Sequence, residues 1–210
     1  MSNPWLGVPL EDYEGHMNSA EVQQLGALAE LFAEALERCS PSSVAVLGVA
    51  GGNGLDRIDT NVTRRVVGVD INQRYLDEVR RRFAGLPGLE LHCLDLAAEP
   101  MEVQPVALVH AALVFEHAGV GLCLDNAVAL VDVGGAMSVV LQLPSDVAQG
   151  VGASPFASLQ MLKMNFKMID PGWLERTLEE RGFRLVTQDQ RALTAGKSFW
   201  MGVFESRLGR

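Results

Sequence analysis

The sequence predicts an α/β protein, a three-layer α/β/α sandwich built on a mostly parallel seven-stranded sheet with one antiparallel strand near the C-terminus. Between residues 44 and 141, short apolar segments alternate with amphipathic helical segments, which is typical of strands joined by right-handed crossovers. The last two strand segments are separated by so short a turn that only antiparallel pairing can join them. A chain of 210 residues fits a single domain with a full core.

Five short apolar segments have the composition of strands that helices cover on both faces. They are residues 44–49, 66–69, 89–94, 106–110 and 136–141. Two longer segments, 183–193 and 198–204, flank a tight turn at Ala195 and Gly196 and complete the predicted sheet.

Amphipathic patterns predict the helices. The first is expected over 19–39, with Ser19 as its N-cap, because apolar residues recur at three- and four-residue steps and Pro41 stops any continuation. Asp170 is the expected N-cap of the last helix, which ends at Gly182. The helices between these two are expected at 55–58, 75–83 and 122–130.

The chain is expected to form one domain, residues 19–210, preceded by an arm. Residues 1–18 hold two prolines and two glycines, so they are predicted to be irregular, and they are a candidate lid. Residues 144–170 break the alternation of strands and helices and are the candidate insert on the substrate side.

Composition and charge exclude several classes of partner and site. The net charge is −9 and the pI is about 4.9, and such an acidic surface disfavours nucleic acid as a partner. The three cysteines are far apart, so neither a disulfide framework nor a metal site is expected, and Cys39 and Cys93 are expected to be buried thiols. The sequence shows no membrane-spanning run and no signal peptide, so the expected location is cytoplasmic.

A glycine-rich turn after the first strand is the strongest functional motif. Segment 48–54 reads Gly-Val-Ala-Gly-Gly-Asn-Gly, and Asp70 ends the next strand 19 positions after Gly51. Such a turn lets the backbone approach a ligand, and an acid at this separation accepts hydrogen bonds from ribose hydroxyls. The pattern predicts a nucleoside-containing ligand; the alternative is a tight turn that binds nothing. The glycine spacing differs from the Gly-x-Gly-x-x-Gly of dinucleotide sites.

Taken together, these motifs resemble those of the class I, Rossmann-like S-adenosylmethionine-dependent methyltransferases, and the resemblance covers nearly the whole chain. In that family the glycine turn contacts the methionine part of the cofactor, the acid after the second strand holds the ribose, and the motif after the third strand addresses the adenine. The turn at Gly134–Gly135 and the final antiparallel strand also match the family. The resemblance implies S-adenosyl-L-methionine as the cofactor, with these binding residues: Gly48, Ala50, Gly51, Gly52, Gly54, Asp70, Ile71, Asp95 and Leu96.

The first motif departs from the family pattern at two positions. The family opens this motif with an acidic residue where this chain has Gly48, and its first glycine is Ala50 here. That acid helps to hold the amino group of the cofactor, so another residue must supply this interaction. No Asn/Asp-Pro-Pro-Tyr/Phe motif follows the fourth strand, so the resemblance does not support an amino-methylating nucleic-acid enzyme.

Glu116 and His117 are the candidate catalytic residues. They end segment 110–117, where the fourth motif of the family lines the reaction site, at the edge of the sheet where open α/β folds bind ligands. A carboxylate beside an imidazole can remove a proton from an acceptor. The alternative is an exposed pair at a helix start, where Glu116 is favourable to the helix dipole.

Two further segments carry candidates for the site. Tyr13 and His16 of the arm are candidate cofactor contacts if the arm closes over the cofactor; the alternative is an arm that docks without a catalytic role. The methionine-rich segment 161–168 is either the wall of an apolar acceptor pocket or core filler.

The predicted function is in-line methyl transfer to a small-molecule acceptor. The sulfonium donor is already activated, so the protein mainly aligns the acceptor and excludes water, and a base is needed only for an acceptor that must lose a proton. One alternative is a protein that binds S-adenosylmethionine or S-adenosylhomocysteine without transferring the methyl group. A nicotinamide-dependent oxidoreductase is the second alternative, disfavoured by the glycine spacing and the terminal strand pair. The sequence specifies neither the acceptor nor the oligomeric state.

Overall fold

A seven-stranded sheet organises the computed structural model, which describes residues 3–19, 22–145, 156–164, 166–193 and 196–207. The strands are β1 (Ser43–Leu47), β2 (Arg65–Asp70), β3 (Leu89–Cys93), β4 (Val106–Ala112), β5 (Val131–Gln142), β6 (Phe183–Ala192) and β7 (Ser198–Ser206). Their order across the sheet is β3-β2-β1-β4-β5-β7-β6.

Strands β1 to β5 pair in parallel, and β7 lies antiparallel between β5 and β6. The predicted mostly parallel sheet with its antiparallel C-terminal strand is therefore confirmed. The predicted fifth strand starts too late, because β5 already begins at Val131 and passes through an irregularity at Gly134, which has φ +71°. Ala195, in the predicted tight turn, lies outside the described residues.

Helices cover both faces of the sheet. The α-helices are α1 (Leu10–Met17), α2 (Gln24–Cys39), α3 (Gln73–Arg82), α4 (Phe115–Ala118), α5 (Leu122–Leu130) and α6 (Pro171–Glu180). Helices α2 and α3 pack on one face, and α5 and α6 on the other, so that each strand buries alternate side chains in two separate cores. None of the helices in the described ranges is long and apolar enough to cross a bilayer.

A polar pair lies within the apolar centre of the sheet. His110 of β4 pairs with Ser138 of β5, and His110 Nδ1 lies 3.2 Å from Ser138 Oγ. The His110 ring also lies 4.6 Å from the ring of Phe32 in α2. Burial lowers the pKa of His110 to about 4, so this imidazole is neutral in the native protein at neutral pH.

The N-terminal segment differs from the predicted irregular arm. It forms a 3-10 helix, Pro4–Gly7, followed by α1. Gly15 lies inside α1 because the ring of Phe156 packs against it, and a Cβ there would stand 2.8 Å from Phe156 Cζ. The glycine that suggested irregularity therefore serves close packing.

The predicted start of the first long helix is also wrong. Ser19 lies in the turn after α1, where its carbonyl accepts hydrogen bonds from the amides of Val22 and Gln23. Gln23 has φ +47°, a left-handed conformation that no α-helix continues through, so α2 begins at Gln24. Cys93 is exposed and Cys39 half-buried, so the expectation of two buried thiols is wrong.

Candidate functional site

A cavity opens at the carboxyl edge of the parallel strands. The ends of several strands meet at this edge because parallel strands point the same way, and open α/β sheets bind ligands there. The cavity and the open solvent at its mouth together take up about 1060 Å³. Its floor comes from the residues that follow or end the strands, namely Gly48, Ala50, Asp70, Ile71, Leu94, Asp95, Leu96, Ala112, Leu113, Val114 and Gln142.

Gly48 and Ala50 bring the glycine-rich turn to the cavity wall. Gly48 has φ +66°, and a Cβ there would stand 2.9 Å from Val114 Cγ2. Ala50 also has a left-handed backbone, with φ +47°. The acid that opens the family motif is disfavoured at position 48, because a left-handed backbone favours glycine and a Cβ would press on Val114.

The other predicted glycines lie outside the cavity wall. A Cβ on Gly52 would meet the ring of Phe83, and a Cβ on Gly54 would stand 2.9 Å from Phe32 Cδ1, so these two glycines permit helix packing. The place of a Cβ on Gly51 is taken by the Glu14 carboxylate. Three of the five predicted turn residues, Gly51, Gly52 and Gly54, therefore shape the turn, whereas Gly48 and Ala50 line the cavity.

Asp70 ends β2 with its carboxylate facing the cavity. Its Oδ2 accepts a 2.9 Å hydrogen bond from the Ala50 amide, and its Oδ1 accepts one of 2.9 Å from the Asn72 amide. Burial raises the pKa of Asp70 to about 6, against the lowering effect of these amides. Each carboxylate oxygen has a second lone pair, so the side chain can still accept hydrogen bonds from a ligand.

Asp95 and Leu96 follow β3 and line the next part of the cavity, beside Ile71. Asp95 Oδ1 accepts a 3.0 Å hydrogen bond from the Ala97 amide, and Oδ2 accepts one of 3.3 Å from Asn3 Nδ2. The predicted contacts Ile71, Asp95 and Leu96 thus lie together, and Asn3 of the arm binds Asp95.

The arm crosses the cavity and is fixed to its rim by hydrogen bonds. Asn72 Nδ2 donates to the Trp5 carbonyl at 3.0 Å, and the Tyr75 hydroxyl donates to the Val8 carbonyl at 3.0 Å. Both donors come from the start of α3, directly after Asp70. The arm is therefore held in place by the residues that directly follow Asp70.

Aromatic rings of the arm form the roof. Trp5 packs edge-on against Tyr13 at 5.7 Å and against His117 at 5.0 Å between ring centroids. Tyr13 also stacks on Tyr75 at 6.4 Å. Burial and the nearby Asp70 raise the pKa of the Tyr13 hydroxyl, so it is un-ionised. Tyr13 and His16 both line the cavity, as the lid hypothesis requires.

An ion pair ties the arm to the glycine turn. Arg82 at the end of α3 donates to both carboxylate oxygens of Glu14, and its Nη1 also donates to the Gly51 carbonyl at 3.2 Å. One guanidinium therefore connects α1, α3 and the turn. We call this contact the Glu14–Arg82 latch.

A second segment completes the roof. The 3-10 helix Ala157–Met164 packs Leu159 and Leu162 against Val8 of the arm, and Ser158 Oγ donates a 2.6 Å hydrogen bond to Asp12. Both leucines line the cavity. The candidate insert 144–170 thus reaches the site with these residues, while its residues 146–155 and 165 lie outside the described ranges.

The structure describes the side chains of two methionines in segment 161–168, and neither lines the cavity or fills the core. Met161 and Met168 are exposed, by 52% and 39%. Leu159, Leu162 and Phe166 line the cavity instead. The side chain of Met164 lies outside the described residues.

The structure separates the candidate catalytic pair. His117 lines the cavity between Trp5 and Phe166, whose ring lies 5.2 Å away, and within the described part of the chain its buried Nδ1 has no hydrogen-bond partner. Burial lowers the pKa of His117 to about 4, so the ring is a neutral hydrogen-bonding group.

Glu116 is fully buried and lies behind the wall rather than in it. Its Oε1 accepts a 2.8 Å hydrogen bond from the Gln142 amide, and its carbonyl accepts one of 2.8 Å from the Lys167 amide. Burial raises its pKa to about 7. The expected alternative, an exposed pair at a helix start, does not hold for this residue, which connects α4 to β5 and to the roof.

Several wall residues were missed by the sequence reasoning. Trp5 and Phe166 lie in segments without a strong period, and Gln24 and Gln142 are single polar residues beside apolar elements. The sequence did contain a signal for the contact between α3 and the arm. Asn72, two residues after the predicted ribose acid, is the N-cap of α3. Among the described residues, no group of three or more His, Cys, Asp or Glu is placed to hold a metal ion.

Comparisons with known proteins support this architecture. No protein-family model matches the sequence, and no curated protein is similar to it. The N-methyltransferase NodS from Bradyrhizobium japonicum WM9, in complex with S-adenosyl-L-homocysteine, has a TM-score of 0.67 at 13% identity, over 98% of this chain and 99% of that chain.

Two further solved structures are similar. The magnesium protoporphyrin IX methyltransferase from Synechocystis PCC 6803, with bound S-adenosyl-L-homocysteine, has a TM-score of 0.62 at 13% identity, over 87% of this chain and 84% of that chain. The cyclase SpnF has a TM-score of 0.65 at 11% identity, over 87% and 81%. These likenesses, together with the strand order, show that the chain has the Rossmann-like fold of the class I S-adenosylmethionine-dependent methyltransferases.

Proposed function

We propose that the protein transfers a methyl group from S-adenosyl-L-methionine to a small-molecule acceptor. The observation that carries this proposal is the buried Asp70 carboxylate, which faces the cavity and is joined to the glycine turn through the Ala50 amide. Its remaining lone pairs match the two ribose hydroxyls of an adenosyl group. NodS and the magnesium protoporphyrin IX methyltransferase, which share the fold, are solved with S-adenosyl-L-homocysteine, the demethylated product of the cofactor.

The cavity offers a place for each part of this cofactor, in the order of the strands. Asp95 and Leu96 after β3 would hold the adenine, Asp70 and Ile71 at β2 the ribose, and the Gly48–Ala50 turn after β1 the methionine part. Tyr13 and His16 of the arm would cover it. When bound, the cofactor would supply a methyl group on a positively charged sulfur. An acceptor would attack the methyl carbon in line with the S–CH3 bond, which breaks and leaves S-adenosylhomocysteine.

His117 is the residue proposed to contact the acceptor. Its neutral imidazole, with an unpartnered Nδ1 in an apolar wall, can accept a hydrogen bond or a proton from an acceptor hydroxyl or amine. Glu116 would act as a positioning residue, because its hydrogen bonds to Gln142 and Lys167 hold the strand end and roof segment on either side of α4.

A small-molecule acceptor fits the enclosure of the site. The arm and the segment 157–164 roof the cavity, so the transferred group meets its acceptor away from the surface. The magnesium protoporphyrin IX methyltransferase is named for a small-molecule acceptor.

Calorimetric titration tests the proposal. S-adenosylmethionine and S-adenosylhomocysteine are expected to bind with micromolar or tighter dissociation constants, and NAD is not expected to bind. If NAD binds and the adenosyl sulfur compounds do not, the proposal is wrong.

A binding protein without transfer is the second candidate. SpnF shares the fold and is named as a cyclase, so the fold alone does not determine the reaction. A panel of small hydroxyl, amine and thiol compounds, assayed for release of S-adenosylhomocysteine, separates the two candidates. Turnover on any of them supports a methyltransferase, and tight cofactor binding with no turnover across the panel favours the binding protein.

A further inference from the structure

We infer that Gln24 binds the amino-acid end of the donor, in place of the acid that the glycine turn lacks. This inference rests on the proposed cofactor. Gln24 is 3% exposed and lines the cavity, and its Nε2 has no hydrogen-bond partner among the described residues. A buried amide nitrogen left without a partner is costly unless a ligand satisfies it.

Strand order places Gln24 at the correct part of the cavity. Asp95, Asp70 and the glycine turn follow β3, β2 and β1, which are neighbours in the sheet, so the methionine part points away from Asp95 toward β4. Asn53 Nδ2 of the turn donates a 2.9 Å hydrogen bond to the Leu25 carbonyl, which fixes the first turn of α2 against the glycine turn. Gln24 is the first residue of that helix.

The chemistry of this corner suits a zwitterion. The α-amino acid end carries one ammonium and one carboxylate, and a carboxamide both donates and accepts hydrogen bonds. Rotation of the amide exchanges its nitrogen and oxygen, so either group can face the ligand. The amides in the first turn of a helix of 16 residues have no partner within the helix and favour the carboxylate.

No carboxylate is present at position 48, where the left-handed backbone of Gly48 and the contact with Val114 disfavour a side chain. Asp70 and Asp95 are assigned to the ribose and the adenine, which lie further from this end of the donor. A neutral carboxamide from α2 therefore replaces a charged side chain from the glycine turn.

The test compares two ligands that differ only at this end. S-adenosylhomocysteine has the amino-acid group, and methylthioadenosine lacks it, so the ratio of their dissociation constants measures what the protein gains from that group. Gln24→Leu is expected to weaken S-adenosylhomocysteine at least about tenfold, the effect of losing one hydrogen bond to a charged group, and to leave methylthioadenosine within about twofold. Methylthioadenosine binding and the melting temperature report whether the variant is folded.

Two further variants complete the experiment. Gln24→Glu keeps the shape and places the charge of the missing acid beside the ammonium, so it is expected to strengthen S-adenosylhomocysteine binding and to leave methylthioadenosine within about twofold. Gln104→Leu, an exposed glutamine before the amino end of β4, is the matched control and should leave both constants unchanged. An unchanged ratio in both Gln24 variants overturns this inference and leaves the cofactor assignment intact, whereas failure of both ligands to bind the wild-type protein removes the cofactor assignment itself.

Discussion

The Ala50 amide donates a 2.9 Å hydrogen bond to Asp70 Oδ2, and this bond joins the glycine turn to the acid at the end of β2. Two parts of the predicted motif thus act as one structural unit. Asp70 lines the cavity, and each of its carboxylate oxygens keeps a second lone pair for a ligand.

Asp70 should make cofactor binding dependent on pH. Its pKa is raised to about 6, so the carboxyl is ionised above pH 6 and becomes protonated as the pH falls through 6, when it accepts ribose hydrogen bonds less well. Affinity for S-adenosylhomocysteine, measured by calorimetry, should therefore fall below pH 6. Asp70→Asn should weaken binding roughly 10- to 100-fold at pH 7.5 and flatten the dependence. Asp56→Asn, at an exposed acid, is the control. If Asp70→Asn keeps the wild-type dependence of affinity on pH, another group is responsible for it.

His117 should affect turnover more than cofactor affinity. His117 lines the cavity and its buried Nδ1 has no hydrogen-bond partner among the described residues, so His117→Ala removes the group proposed to contact the acceptor and should leave the Asp70 region unchanged. Once an acceptor is found, we expect kcat to fall at least about tenfold. The dissociation constant of S-adenosylhomocysteine should stay within about twofold. His92→Ala, at a half-exposed histidine of the outer strand β3, should change neither. The opposite pattern, weak binding with normal turnover, would make His117 a cofactor contact.

The Glu14–Arg82 latch should slow release of the cofactor product. Arg82→Gln removes the ion pair with Glu14 and the bond to the Gly51 carbonyl, and stopped-flow dissociation of S-adenosylhomocysteine should become about threefold faster. This magnitude is small because about a third of each side chain is exposed, and such pairs contribute at most about 1 kcal/mol. Salt should accelerate release from the wild type more than from the variant.

Arg80→Gln provides the control for the latch. Arg80 lies on the same helix and pairs with Asp77, but it is 61% exposed and forms no hydrogen bond or ion pair with the described residues of the arm. Equal rates for Arg82→Gln and the wild type would show that the arm does not limit release.

Gly48 should tolerate alanine less well than Gly134, which has a similar positive φ but open space around it. Gly48→Ala combines a left-handed backbone with a contact to Val114, so it should lower the free energy of unfolding by roughly 2–4 kcal/mol. Gly134→Ala, at a similar φ of +71° with open space around it, should cost about 1–2 kcal/mol. Urea unfolding without ligand measures both. Equal losses would mean that Val114 moves aside and that an acid can be accommodated at position 48.

His110 should make the fold less stable in mild acid. Its native pKa is about 4 and the ordinary value is 6.5, so between these values the unfolded chain binds more protons and stability falls as the pH is lowered. Below pH 6.5 the slope of unfolding free energy against pH should be smaller in His110→Gln than in the wild type, by about 1 kcal/mol per pH unit. If His110→Gln keeps the wild-type slope, another group accounts for the acid sensitivity.

The sheet and the cofactor acid could be predicted because their signals are local. Each parallel strand is a short apolar run, and Asp70 and Asp95 follow such runs directly, so topology alone brings them to one edge. The sequence could not predict which glycines of the turn line the cavity and which permit packing. These roles depend on neighbours from three other elements: Val114 beside Gly48, Phe83 beside Gly52 and Phe32 beside Gly54.

The arm could not be predicted for a related reason. Gly15 reads as a helix breaker until Phe156, 141 positions later, is known to pack against it. Glu116 was singled out by its position after β4, but its burial depends on Gln142 and Lys167, which only the folded chain brings near. Long-range packing decides these positions, and sequence periodicity does not report it.

The roof of the cavity is assembled from chain segments far apart in sequence, residues 3–17 and 157–164, which share a small core of Val8, Leu159 and Leu162. Neither segment buries these side chains by itself, so detaching one exposes apolar surface on the other. If the roof opens, we therefore expect the two segments to separate from the site in a single cooperative transition. One equilibrium would govern both the entry of a donor and the escape of its product, and a substitution in either segment would shift both.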